Sequence, residues 1–185
     1  MRKTAKPEGL KTALQVLRLL SSYRWDVLDK DRSPIGAQPD GSPDFMQYLT
    51  LTPEELHKHK RGTCWEHTEA QHRLYKDLGV PHKVFYIEAD NPEKGSHTVV
   101  LREDAKGGVY WDETAWKDRT GSHRFDTEKD ALDAIARQVG KHSGAQKARV
   151  FRIGSIPGGK NILQYMKAAK TGKPVYAVDL KEHES

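Results

Sequence analysis

Arg61-Gly62-Thr63-Cys64-Trp65-Glu66 is the stretch on which the reading of this chain turns. Thr63 and Glu66 have the Ser/Thr-x-x-Glu spacing of a capping box, in which each side chain takes a backbone N–H of the other. A helix therefore begins at this point. Ala70, Leu74 and Leu78 carry an apolar stripe along it, and Gly79 followed by Pro81 stops it, so the helix spans 63–78. Cys64, the only cysteine of the chain, falls in its first turn. There the unpaired N–H groups and the positive end of the helix dipole favour thiolate over thiol. The same N–H groups can stabilise an oxyanion formed by attack on a carbonyl.

Downstream, three strand-like runs follow: 82–89, 96–102 and 108–113. Asn91-Pro92 and Lys106-Gly107-Gly108 separate them, and their alternation together with β-branched and aromatic residues predicts an antiparallel meander with short turns. His97 opens the second run, and Asp112 lies in the Trp111-Asp112-Glu113-Thr114 of the third. A Cys, His, Asp series in that order points to a thiol nucleophile, its base and an orienting acid. Asp112 and Glu113 are neighbours on a strand and point to opposite faces, so at most one faces His97.

Upstream, Leu10, Ala13, Leu14, Leu17 and Leu20 recur at three-to-four spacing, which predicts a helix with one buried stripe. Breakers crowd 29–44 (Ser33-Pro34, Gln38-Pro39-Asp40-Gly41, Ser42-Pro43), and this segment reads as a loop. Thr52-Pro53-Glu54-Glu55 starts a short helix, capped by Thr52, that delivers the chain to Gly62. Beyond the meander, Thr127 caps a helix over 127–139, then come a strand at 150–153, a helix near 161–169 and a strand at 175–178. A helix packed on a meander is an α+β core. At 185 residues, the expectation is one domain, 1–185, with short extensions.

Composition adds bounds. The formal charge is +5, yet acidic residues are interspersed nearly as densely as basic ones, so no strong field for nucleic acid follows and no nucleic-acid partner is expected. One cysteine makes no internal disulfide, which fits a reducing compartment. Arg2, Lys3 and Lys6 precede a leucine-rich stretch, but Lys11, Gln15 and Arg18 interrupt it and no small-residue cleavage site follows. No run is long enough to span a membrane, so no membrane partner and a cytoplasmic location are the expectation.

Taken together, Gly62-Thr63-Cys64-Trp65-Glu66 on a helix start, Ser96-His97-Thr98-Val99-Val100 on a strand and Tyr110-Trp111-Asp112-Glu113-Thr114 on the next resemble the transglutaminase-like superfamily. The resemblance covers about 52–124 and implies a papain-like core, with the nucleophile starting a helix packed on an antiparallel sheet. It implies Cys64 as nucleophile, His97 as general base and acid, and Asp112 as the group orienting the imidazole. Asp112 fits the family's Asp-x-Thr pattern with Thr114, whereas relatives with a Trp-x-Glu arrangement would give the role to Glu113. The implied chemistry is attack on an amide or ester carbonyl of a protein or peptide substrate, giving a thioester that passes to water or an amine. A thiol amide hydrolase is the first reading; a transglutaminase-type acyltransferase and a silent binding scaffold of the same fold stand beside it. No cofactor is implied. Papain-type enzymes carry a glutamine shortly before the nucleophile, where this chain has His57-Lys58-His59-Lys60, so the Cys64 N–H is the expected oxyanion donor. In animal transglutaminases an upstream tryptophan gives an indole N–H; Trp25, following a helix, reads as core and stays outside the catalytic set.

Other constellations read as structural. His57, His59, His67 and His72 lack a His-x-x-x-His helical pair, so no metal site is expected. Pro157-Gly158-Gly159-Lys160-Asn161 lacks the full phosphate-loop pattern and reads as a turn before a helix. Lys160, Lys167, Lys170 and Lys173 have little aromatic interleaving and read as a solvated face. Trp65, Trp111 and Trp116 read as packing around the helix and sheet.

Overall fold

The computed structural model describes residues 7, 9–35, 47–90 and 95–180. Most of the breaker-rich 29–44 loop, the Asn91-Pro92 turn and the basic amino-terminal residues lie outside the described residues. The fold is mixed: helices cover an antiparallel sheet. In chain order the elements are α1 (Ala13–Ser21), β1 (Arg24–Trp25), α2 (Pro53–His59), β2 (Arg61–Gly62), α3 (Cys64–Asp77), β3 (His82–Ala89), β4 (Ser96–Glu103), β5 (Val109–Glu113), β6 (Gly121–Phe125), α4 (Glu128–Ser143), β7 (Lys147–Ile153), α5 (Ile162–Lys170) and β8 (Lys173–Asp179).

The six-stranded sheet has the order β6-β5-β4-β3-β7-β8, with every neighbour antiparallel. The predicted meander is thus its middle, and the sheet is wider than expected. β6 was not foreseen because Gly121-Ser122-His123-Arg124-Phe125 is polar and largely open to solvent. β7 reaches three residues further back than its apolar run and pairs with β3 across the whole domain core.

Two apolar clusters sandwich the sheet. On one face Val84, Tyr86, Val100, Phe151 and Ile153 meet α1, α3 and α5; on the other Phe85, Ile87, Val99, Leu101 and Trp111 meet α4. The alternation read from the sequence implies one covered face; in the structure both faces are covered, and β3 and β4 are buried at nearly every position along their middles. In α1 the buried stripe is Val16, Leu17 and Leu20, and Leu14, assigned to the stripe from its spacing, is 51% exposed.

Local chemistry sets each element around the nucleophile. Thr52 and Glu55 form the capping box of α2, with Pro53 at the first helical position. Lys60 ends that helix in the left-handed conformation (φ 55°), and the chain turns at once into β2. β2 pairs in parallel with β1, Trp25 opposite Gly62. Trp25 is not core, as its place after a helix implied; it is 48% exposed. Gly62 is required by close approach: a Cβ there would lie 2.7 Å from Leu56 Cδ1 and 3.2 Å from Glu66 Cβ. The Pro157-Gly158-Gly159 segment is a turn, as read, and it buttresses the loop before α2 through Gly159 N–H donating to Thr50 O at 2.7 Å. No helix among the described residues is long and apolar enough to cross a membrane.

Candidate active site

Thr63 and Glu66 make the expected capping box, so Cys64 is the first residue of α3. Glu66 does more than cap. It is buried, accepts from Thr63 N–H (2.7 Å), Leu51 N–H (3.1 Å) and the Tyr48 hydroxyl, and so ties the preceding loop to the helix start. At the first helical position, the Cys64 N–H has no carbonyl four residues back within its helix. Cys64 itself is 9% exposed.

The sheet opens where α3 meets it. The β4–β5 ladder pairs Glu103 with Val109, Arg102 with Tyr110 and Leu101 with Trp111, and ends there. Beyond that point α3 side chains take up strand carbonyls: Thr68 Oγ1 donates to Thr98 O at 2.9 Å and Gln71 Nε2 to Asp112 O at 3.0 Å. The helix start thus stands at the splayed ends of β4 and β5, beside His97 near the start of one and Glu113 at the end of the other.

His97 Nε2 lies 2.8 Å from Glu113 Oε2. The same carboxylate accepts from Trp111 Nε1 (3.1 Å) and from the backbone N–H groups of Ala115 and Trp116 (2.7 Å each). Trp116 packs edge-on against the imidazole, ring centroids 5.1 Å apart. The Cys64 thiol is the other hydrogen-bonding neighbour of the imidazole. With Nε2 engaged by Glu113, Nδ1 is the nitrogen left for the sulfur. Burial opposes charge on His97, but the charges of Glu113 and Cys64 and hydrogen bonds to both outweigh it and raise the imidazole from 6.5 to about 10. Burial also works against the Glu113 charge; His97 and the two N–H donors overcome it and hold the carboxyl below its ordinary range.

Asp112 is not brought to His97, contrary to the sequence expectation. Its carboxylate accepts from Arg102 Nε (2.6 Å) and Nη2 (3.2 Å), from the Tyr75 hydroxyl (2.7 Å) and from Ser122 Oγ (2.5 Å). The reason is parity. Leu101 opposite Trp111 puts odd residues of β4 and β5 on one face, so His97 shares a face with Glu113 while Asp112 points to the α3 side. The signal was present in the hairpin: the ladder's last pair, Glu103 and Val109, encloses an odd number of residues, 104–108, which sets like parities opposite.

The histidines singled out in the sequence scatter into separate roles. His57 Nδ1 bonds the Tyr23 hydroxyl (2.9 Å), His72 Nδ1 meets His82 Nε2 (2.8 Å), and His67 Nδ1 meets Thr114 Oγ1 (3.3 Å). Burial drives His67 down from 6.5 to about 4, so it is neutral one helical turn from the nucleophile. Among the described residues no group of three or more His, Cys, Asp or Glu side chains is arranged to hold a metal ion. Lys170 is not merely a solvated residue: its ammonium lies 2.6 Å from Glu88 Oε1, and Arg149 takes Glu88 Oε2 at 2.5 Å, so the pair neutralises a carboxylate buried in the sheet.

Sequence reasoning left out the aromatic wall on the α5 side. Tyr165 stacks on Trp65 with centroids 4.1 Å apart and planes 5° from parallel, and Tyr48 also meets Trp65, tilted at 46° with centroids 5.6 Å apart. α5 lies outside the stretch of resemblance, so only its place in the sheet–helix packing joins it to Cys64. No protein-family model matches this chain, and no curated protein matches it.

Proposed function

We propose that the protein is a thiol-dependent amide hydrolase of transglutaminase-like type, a peptidase or isopeptidase, with Cys64 as nucleophile, His97 as general base and acid, and Glu113, in place of Asp112, as the group that orients the imidazole. The observation that carries this reading is the His97 Nε2–Glu113 Oε2 contact of 2.8 Å beside a cysteine at a helix start. A buried carboxylate on one ring nitrogen fixes the ring and turns the other toward the sulfur, which is what a thiol–imidazole pair needs.

In the first half-reaction the Cys64 sulfur attacks the substrate carbonyl carbon, and the negative charge collects on the carbonyl oxygen. The Cys64 N–H, free of intrahelical demands, is placed to receive it. His97, carrying the proton from the thiol, delivers it to the leaving nitrogen as the C–N bond breaks; an amine departs and a thioester remains. Water then enters, His97 takes one of its protons, the C–S bond breaks, and the acid leaves with Cys64 restored. Glu113 keeps its charge throughout and stabilises the imidazolium at each stage.

Alkylation of Cys64 with iodoacetamide, followed by intact mass across pH 5–9, tests the pair. At pH 6 the wild type should react at least about tenfold faster than His97→Ala. Equal rates at every pH would sink the reading. With a peptide amide as substrate, release of the free acid identifies hydrolysis, and capture of an added amine in its place identifies transfer.

A further inference from the structure

The chain-wide mixture of signs, from which no nucleic-acid partner was expected, is not uniform. Residues 134–178 hold nine Lys or Arg and no Asp or Glu, which leaves 22 basic and 26 acidic residues for the rest of the chain. The net charge of +5 is thus a +9 segment set against a −4 remainder. A block of one sign creates a local field that the total conceals. Outside the segment, carboxylates answer arginines: Arg32 meets Glu55, Arg73 meets Glu54 and Glu69, and Arg124 meets Asp104 and Asp126. Inside it, Arg149 and Lys170 share the buried Glu88. Among the described residues, Arg152, Lys167 and Lys173 are exposed and have no carboxylate partner.

The fold gathers these cations at one place. Lys167 and Lys170 lie in the last turn of α5, and Gly172 then joins α5 to β8 so closely against β7 that a Cβ there would lie 2.5 Å from Arg152 O. Arg152 and Lys173 stand directly opposite each other in the β7–β8 ladder, and like charges so placed destabilise a strand pair. Lysine and proline on an edge strand deter pairing with another chain, which accounts for Lys173-Pro174 but not for Arg152 or Lys167. An anion between the two cations would turn that cost into a gain. Arg149 faces the α5 side of the sheet with Glu88, and Arg152, three residues on, faces the other side with Phe85. The cations therefore wrap the β8 edge of the sheet.

The surroundings select the partner. Protein interfaces are depleted in lysine and anchored by aromatic side chains, whereas here lysine predominates and Phe151 and Tyr165 are buried. A single nucleic-acid strand would lack the same aromatic platforms to stack on. Insertion into a membrane needs the apolar face of a helix, and in α5 that face, Tyr165, Met166 and Ala169, is already buried in the core. Rows of phosphates remain. Cations on both sides of an edge match the two phosphate rows that border the major groove of duplex DNA, which is wide enough for a β-ribbon; the groove of duplex RNA is too narrow. We propose that the end of α5 and the β7–β8 edge form a docking surface for the phosphate backbone of double-stranded DNA.

The experiment follows the binding of a fluorescein-labelled DNA duplex of mixed sequence by anisotropy over a range of salt concentrations. Wild type is compared with a patch variant (Arg152→Gln, Lys167→Gln, Lys173→Gln) and with a control of equal net charge at exposed lysines elsewhere (Lys58→Gln, Lys106→Gln, Lys117→Gln). Arg149 and Lys170 stay in place because they neutralise Glu88. The patch variant should bind at least about tenfold more weakly, with the slope of log K against log salt reduced by about 2–3, and the control should change less than about twofold. The patch variant loses a like-charge pair and no ion pair, so it should melt no lower than wild type, which separates weaker binding from unfolding. Equal weakening in both variants reports net charge alone and overturns the proposal. Equal or tighter binding of duplex RNA, polyglutamate or phosphatidylserine vesicles at matched charge overturns it too, since each identifies a different partner. Cys64 takes no part in the readout, so the outcome stands apart from the thiol-hydrolase reading.

Discussion

Asp112 and Glu113 are adjacent carboxylates on one strand, both buried, both paired with a cation or an imidazole, yet they sit in different chemistry. Asp112 is held on the α3 side by a two-point guanidinium contact, a phenol and a serine, with Arg102 itself lying over the Tyr110 ring at 4.3 Å. Every acceptor site is taken and nothing reactive is near, so this cluster fastens β4, β5, β6 and α3 together. Glu113 faces the other way and is fixed by backbone and indole N–H groups, and it spends its remaining capacity on one imidazole nitrogen. Two carboxylates one residue apart can thus be divided between stability and chemistry by strand pleat alone.

The division is breakable by mutation. Glu113→Gln keeps the shape and the two backbone contacts but removes the charge facing His97. Turnover on a peptide amide should fall by about 10³–10⁴-fold while the circular dichroism stays that of the folded protein. A near-wild-type rate would move the orienting role elsewhere. Asp112→Ala should do the reverse: it strands the Arg102 guanidinium and should cost about 3–5 kcal/mol in urea unfolding, with the folded fraction retaining most of its alkylation rate at Cys64. If Asp112→Ala instead abolishes thiol reactivity at full stability, the comparison collapses.

A subtler contrast concerns the two histidines flanking Glu113. His97 is raised from 6.5 to about 10, so its charge contributes stability that is fully present below pH 6.5 and lost as the pH climbs through 10. His67 is lowered to about 4, so the unfolded chain binds its proton more readily, and stability is withdrawn as the pH falls from 6.5 toward 4. Melting temperatures from pH 4 to 10 should therefore sag at both ends. His67→Gln should flatten only the acid limb, and His97→Gln only the alkaline one. Loss of both limbs in either variant would show that the two imidazoles act as one titrating unit.

Much of the architecture was legible locally. The caps read at Thr52, Thr63 and Thr127 each present a side-chain oxygen to the N–H groups of their own helix start, and that chemistry needs no distant partner; Thr12 and Asn161 do the same in the structure, unread beforehand. β3, β4 and β5 appear where their β-branched and aromatic runs place them. β6 was hidden because an edge strand with a solvated face carries no apolar pattern, and Leu14 was misassigned because period alone does not say which side of a helix the core will occupy.

Sequence by itself determined that a lone cysteine would begin a capped helix and that a histidine and an acidic pair would follow on neighbouring strands. A capping box and strand propensity are properties of a few consecutive residues. Which acid meets the histidine, which tryptophan is exposed, and that Tyr165 from α5 lies over Trp65 were decided only in three dimensions. Each depends on register, on where a ladder stops, or on which elements cover a sheet face, and those are set by packing between segments distant in the chain.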